Sequence, residues 1–388
     1  MRRRTVKKHI PLYDIHISRD VKREVMSALD SGWLSSGPRV ADFEAALADY
    51  TGVRYQIAVS SATAGLIASL EAVEVRGKEV VTTPYSFVAT VEAIIRSGGT
   101  PVFADIDPHT LAIDPDEAER KMCRRTACIL PIDIAGYPAD YARLRSLARD
   151  TGVALVSDAS HSFGARYRGK PVSAYCDAAV FSFHATKNLT CGEGGLVACR
   201  RRDIAAKARL IARHGVSATA YDRRVRGRWA YDVKRLGFKA NMSEIHAAIG
   251  MGNLRRFDMN QAKRRRLAER YRNNLADLSN WVELPPSGRH IEAAWHLYII
   301  KLNLDRLRIT RDRFIQLMSE AGVECGVHFV PINRFSFFRD LGIKRVECPN
   351  SDQAGERVVT LPLFQELKPS EIDYVCERIQ LILKKYRA

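Results

Sequence analysis

The sequence predicts an α/β protein, a large unit on a mostly parallel sheet covered by helices, followed by a smaller α+β unit. Three observations point there. Through the first three-fifths of the chain, short apolar runs alternate with segments of helical period. Several of those runs are apolar at consecutive positions, the pattern of strands buried on both faces. And 388 residues, 46% hydrophobic and 27% charged, suffice for one large core or two ordinary ones.

The elements follow in order. Residues 57–60 (IAVS) read as a strand, 77–84 (GKEVVTTP) as a strand after a turn, and 86–99 (SFVATVEAIIRSGG) as a helix ended by glycines. Residues 100–107 read as a strand and 114–122 as a helix capped by Asp114. ACILPIDIAG (127–136) reads as a near-continuous apolar strand, 139–152 as a helix, and 153–160 (VALVSDAS) and 177–183 (DAAVFSF) as further buried strands. From Ser243 to Leu278 the pattern becomes that of one long helix, closed by the turn PPSG at 285–288. Residues 296–305 and 323–331 then read as strands, and 310–322 and 369–388 as helices. The expected boundary lies near residue 255, giving units of 1–255 and 256–388. No internal repeat or low-complexity tract interrupts them.

Composition narrows the function. No run of about 18 apolar residues is present, so no membrane span is expected. The basic N-terminus MRRRTVKKHIPLYDI lacks the apolar core of a secretory signal, and a cytoplasmic location is the expectation. Eight cysteines include no C-x-x-C pair and no zinc spacing, so free thiols are expected. Lys and Arg number 61 against 44 Asp and Glu, a net charge of +17 that favours anionic partners. The excess is scattered, with clusters at 200–202, 223–228 and 263–266. No basic stripe interleaved with aromatics appears, so the partner expected is a phosphorylated cofactor or nucleotide-linked substrate rather than nucleic acid.

In an open parallel sheet, ligands bind beyond the carboxyl ends of the strands. Ser60, Ser61 and Thr63 follow the first strand where a helix begins, a setting for a phosphate on free backbone N–H groups, although on this motif alone a plain N-cap is the better explanation. Neither a P-loop nor a G-x-G-x-x-G follows a strand. Asp158 ends a strand, with His161 three residues on. A carboxylate there can pair with a cationic ring nitrogen, act as a base or bind a metal; no third ligand follows, so no metal is expected. Lys187 lies between an apolar strand and the glycines 192, 194 and 195. A lysine is a nucleophile only when partly desolvated or held near positive charge. Hydroxyls, an aspartate and a lysine at successive strand ends are what pyridoxal phosphate requires, for its phosphate, its ring nitrogen and its Schiff base respectively.

At these residues the sequence resembles the sugar aminotransferases of the DegT/DnrJ/StrS type, vitamin B6 enzymes of the aspartate aminotransferase fold (fold type I) with a seven-stranded sheet. The motifs run nearly end to end: GWLSSGPRVADFE (32–44), TTPYSFVAT (82–90), SDASHSFGARYRG (157–169), FSFHATKNLTCGEGG (181–195), GFKANMSEIHAAIG (237–250), VHFVPIN (327–333) and LPLFQELKPSEIDYV (361–375). The resemblance implies Lys187 as the Schiff-base lysine and Asp158 as the partner of the pyridine nitrogen. It implies His161 over the ring oxygen, Ser182, Thr63 and the Ala62 backbone in the phosphate cup, and Phe87 stacked on the ring. It implies a homodimer in which the 237–245 loop reaches the neighbouring site, Asn241 touching the partner's phosphate. Some members carry that Asn two places earlier, where this chain has Lys239. Ala62 replaces the commoner Gly and Cys191 the commoner Thr.

The stretches RHGVSATAYDRR and RWAYDVKRLGFKANMSEI resemble most the branch acting on UDP-linked 4-keto sugars. The implied reaction is amino transfer from L-glutamate to a nucleotide-linked keto sugar, in lipopolysaccharide or polysaccharide biosynthesis. His328 and Arg334 are candidate sugar contacts, and Arg223, Arg224, Arg226 and Arg228 candidate diphosphate contacts. Trp33, Trp229 and Trp295 read as core. Relatives with His in place of the lysine dehydrate sugars, and others are suspected non-catalytic regulators; the retained Lys187 and Asp158 favour transamination.

Overall fold

The computed structural model describes residues 9–218, 220–227, 229–341 and 347–388. Seven strands form the main sheet: β1 (Tyr55–Val59), β2 (Glu79–Thr82), β3 (Thr100–Phe103), β4 (Thr126–Ile129), β5 (Ala154–Asp158), β6 (Ala178–Ser182) and β7 (Gly195–Cys199). Their spatial order is β1-β7-β6-β5-β4-β2-β3. Pairings from β3 through β6 are parallel, while β7 runs antiparallel to both β6 and β1. The sheet is therefore mostly parallel, and every residue of β2, β6 and β7 is buried, as strands covered on both faces must be.

The expected strand 127–136 ends early, at Ile129. Pro131 has no N–H to continue the ladder, and the chain turns instead through Ile134–Gly136. The long helix expected over 243–278 is two helices, Glu244–Leu254 and Phe257–Leu275. They serve different neighbours. The first packs on α1 (Arg19–Asp30) and α2 (Pro38–Thr51). It does so through Gly250, where a Cβ would lie 2.5 Å from the Phe43 ring. The second opens with Phe257 driven into a cluster with Tyr50 and Phe163, at centroid distances of 5.4 and 5.0 Å. No single straight helix can present both faces.

A second sheet joins Val282–Glu283, Tyr298–Leu302 and Val358–Leu361. Its antiparallel core packs against Phe257–Leu275, Arg311–Glu320 and the closing helix Pro369–Tyr386, and Ile10 is buried in the same cluster. The strand expected over 323–331 is not one. The segment makes only isolated bridges, Ile10 with Val323 and Gly326 with Thr360, because it leaves the sheet to wall a cavity. Among the described residues no helix is long and apolar enough to cross a membrane.

One buried charge ties the second half of the large core to its beginning. Glu244 is 1% exposed, and its carboxylate accepts from the backbone N–H groups of Gly37, Arg39 and Val40 at 2.9–3.0 Å. Gly37 supplies no side-chain cap to α2, so Glu244 caps it from across the fold, with its charge at the favourable end of the helix dipole. Glu244→Ala should lower unfolding free energy by about 3 kcal/mol, because it strands three donors. Glu244→Gln, which keeps one acceptor oxygen, should cost less; chemical denaturation compares the two.

Candidate active site

The strand ends predicted from the sequence converge on one cavity of about 650 Å³. Ala62 and Thr63 line it from the first turn of α3 (Ala62–Ala72), whose N-cap Ser61 accepts from Ala64 N at 3.2 Å. The first N–H groups of a helix have no partner within it, so this wall presents donors and a positive dipole end. Phe87, 59% exposed, lines the same cavity at the start of α4 (Val88–Arg96). Ser182 enters as the last residue of β6, and His161 and His328 complete the sequence-predicted lining.

Asp158 is the last residue of β5 and is 6% exposed. Thr90 donates its hydroxyl to Oδ2 at 2.7 Å, and Ser160 N reaches Oδ1 at 3.2 Å. Thr90 is in turn joined to Ser86 at 2.7 Å. The carboxylate is thus held in position by a hydroxyl and a backbone N–H. Lys187 follows β6 and is half-buried at the wall of the cavity. Burial pulls its amine down to about 8, against the opposing pull of Asp158.

Sequence reasoning missed His296. It is 7% exposed, and its Nε2 lies 3.2 Å from Lys187 Nζ. The available signal was a lone imidazole at the head of an apolar strand, in AAWHLYII, which looks like core. His161 stacks beside it with ring centroids 4.5 Å apart. Burial first, and the neighbouring Lys187 second, hold both imidazoles well below the usual histidine range. His328 is pushed down to about 4 by the same two causes, and its Nδ1 meets Thr360 Oγ1 at 2.8 Å.

Two predicted residues are not brought into the cavity. Asn241 donates to Ser36 Oγ at 2.7 Å instead of lining it. Arg334 spends its guanidinium on Asp352 and Glu356, at 2.7 and 3.1 Å. In the basic cluster, Arg223 lies over Tyr231 and Arg224 over Trp33, at 4.4 and 5.2 Å. The side chain of Arg226 and all of Arg228 lie outside the described residues. Trp229, expected in the core, is 88% exposed.

The chain belongs to the DegT/DnrJ/EryC1/StrS aminotransferase family, whose family model matches residues 16–380. It is 35% identical to the spore coat polysaccharide biosynthesis protein SpsC of Bacillus subtilis over 374 residues, covering 95% of each chain. Its fold matches Spr1654 of Streptococcus pneumoniae, a candidate sugar aminotransferase, in its PMP form: TM-score 0.91, 28% identity, 97% of this chain and 100% of that one. The PLP form of the same protein matches at 0.90, over 97% and 99%. PseC of Helicobacter pylori, an aminotransferase in the biosynthesis of pseudoaminic acid, matches at 0.90 with 26% identity, over 97% and 100%. This chain is therefore a pyridoxal-phosphate-dependent aminotransferase.

The site fits that cofactor. It offers helix-terminal donors, an exposed aromatic wall, a buried carboxylate, a desolvated amine, and a buried His161 Nδ1 without a protein partner.

The depressed histidines give a pH dependence whose sign can be worked out. The folded pKa lies below the ordinary value of about 6.5, so in acid the unfolded chain binds more protons. Stability should fall as pH drops from about 6.5 to about 4, the window set by His328. Thermal unfolding followed across that range should show the slope, and His328→Phe should flatten part of it.

Proposed function

We propose that this aminotransferase moves an amino group from L-glutamate to the ketone of a nucleotide-linked sugar, a UDP-linked 4-keto sugar in the first instance. Glutamate leaves as 2-oxoglutarate, and the sugar carries the amine away. The observation that carries the proposal is the juxtaposition of a desolvated Lys187 amine with the buried Asp158 carboxylate in one cavity. The relatives support the sugar class: SpsC acts in polysaccharide biosynthesis by its name, and PseC in that of pseudoaminic acid. A place in polysaccharide biosynthesis is proposed on the same ground.

Bound pyridoxal phosphate supplies an aldehyde carbon that accepts and returns the amino group, and a ring that draws electrons from it. The rest falls to side chains of this chain. Lys187 would hold the cofactor through Nζ and, when free of it, would carry a proton at that atom. Asp158 would hold the ring nitrogen and its proton, while Thr90 holds the carboxylate in position. The opening turn of α3, with Thr63 and Ser182, would hold the phosphate, and Phe87 and His161, both on the cavity wall, would hold the ring.

We further propose a homodimer whose 237–245 loops complete each other's sites through Asn241. Two features support it: Asn241 stays out of its own chain's cavity, and Trp229 and Leu236 beside the loop are 88% and 83% exposed. The division into units near residue 255 is proposed likewise. Separate hydrophobic clusters support it, with Ile10 belonging to the second.

Purified enzyme, glutamate and a panel of nucleotide keto sugars, read by product mass, test the reaction; no amino sugar from any donor pair would sink it. Lys187→Ala should abolish turnover, and borohydride should fix the cofactor to Lys187 in the unaltered protein. Asp158→Asn should retain cofactor while kcat falls by a factor on the order of a hundred to a thousand. Near-normal turnover would mean that another carboxylate serves the ring.

A further inference from the structure

We propose that His296 is a catalytic residue: its Nε2 accepts a hydrogen bond from the Lys187 ammonium and holds Nζ over the cavity whenever Lys187 is not attached to the cofactor. The inference rests on the reading of Lys187 given above and deepens it.

The first observation is the contact, 3.2 Å from Lys187 Nζ to His296 Nε2. A released lysine has a long flexible stem, and a proton carrier is effective only when it stays within reach of the reacting carbon. A single acceptor at Nζ provides that restraint. A neutral imidazole can accept where a cationic one cannot, and this imidazole is kept neutral by burial first and by the neighbouring Lys187 second. The other titratable and charged groups facing it are His161, Arg264 and His328, and Asp158 acts on Lys187.

The second observation is how firmly the histidine is held. The backbone N–H of His296 donates to Ala135 O at 2.9 Å, and Ala294 N donates to Gly136 O at 2.8 Å. Ala294 O accepts from Asn188 Nδ2 and Gln261 Nε2, at 2.6 and 2.5 Å. Three residues further along the same helix as Gln261, the buried Arg264 donates to the carbonyls of Trp295, His296 and Leu363, at 3.0–3.4 Å. No carboxylate pairs with that guanidinium in the described residues. Gly136 makes the approach possible, since a Cβ there would lie 2.7 Å from His161 O and 2.9 Å from Ala294 Cβ. Asn188, next to Lys187, belongs to the same clamp, so lysine and histidine are registered to each other through one carbonyl.

The third observation is the far ring nitrogen. His296 Nδ1 is buried without a partner in the protein. With Nε2 as the acceptor the ring proton sits on Nδ1, so Nε2 makes the ring's one hydrogen bond to the protein among the described residues.

The test compares the full-length protein with His296→Gln, whose amide oxygen can still accept, and His296→Phe, which cannot. Competitive acetylation of the cofactor-free chain across pH, with peptide mass mapping, reads the protonation midpoint of Lys187. Loss of the acceptor removes support for the ammonium, so in His296→Phe the midpoint should drop by about one unit, a tenfold change in the free-amine ratio at a given pH. Despite more free amine, kcat should fall about tenfold or more, with KM for glutamate nearly unchanged. His296→Gln should restore the midpoint and most of kcat. Should His296→Phe fail to fold, His296→Asn, polar but too short to reach Nζ, carries the same expectation. An unchanged Lys187 midpoint in the variant lacking the acceptor, or equal losses of kcat in Gln and Phe, would overturn the proposal. Borohydride fixation in the unaltered protein reports separately whether Lys187 holds the cofactor at all.

Discussion

Burial of the Lys187 amine is the constraint around which the site is built. Its drop from 10.5 to about 8 corresponds to about 3 kcal/mol of disfavoured charge, a sizeable fraction of a domain's net stability. The surroundings make that cost useful. Asp158 offsets part of it, and the imidazoles of His161, His296 and His328 stay neutral rather than adding competing cations. The result is an amine that gives up its proton far more readily than an ordinary lysine, facing a carboxylate that the Thr90 hydroxyl and the Ser160 N–H keep in position.

The scaffold explains how such a group is tolerated. Lys187 and Asp158 sit beyond the carboxyl ends of adjacent strands β6 and β5, where the helices that cover the sheet leave a gap. The gap is roofed from far away in sequence: Leu12 and Tyr13 come from the N-terminal segment, and Val327–Val330 and Thr360 from the second sheet's surroundings. Segment 323–331 thereby gives up a regular ladder to become a cavity wall. Its polar backbone is partly answered by Tyr85, whose hydroxyl donates to His328 O at 2.6 Å.

Long-range polar contacts repeat the same logic elsewhere. Glu244 caps a helix two hundred residues earlier, and Arg264 satisfies three carbonyls on two chain segments. Each buried charge is matched to backbone groups rather than to an opposite side-chain charge, which avoids desolvating a second ion. The cost is specificity of geometry: neither group can be replaced by an apolar one of similar size without stranding the donors or acceptors it serves.

The order of strands and helices from β1 to β5, the class of fold and the strand-end positions of Asp158, Ser182 and Lys187 were legible in the sequence, while the helices α1 and α2 ahead of β1 were not read from it. They depend on local period and on where an apolar run stops, and both are written in neighbouring residues. The break at Arg255–Arg256, the lost strand at 323–331 and the early end of β4 followed from packing partners distant along the chain or from a single proline. His296 was invisible for a related reason: nothing in AAWHLYII distinguishes a core histidine from one facing a lysine 109 positions earlier. The sequence by itself determined which residue types could meet cofactor chemistry, because side-chain chemistry is local. The tertiary structure alone decided which of them share a solvent-shielded cavity, because desolvation and hydrogen-bond reach depend on what the rest of the chain brings within a few ångströms.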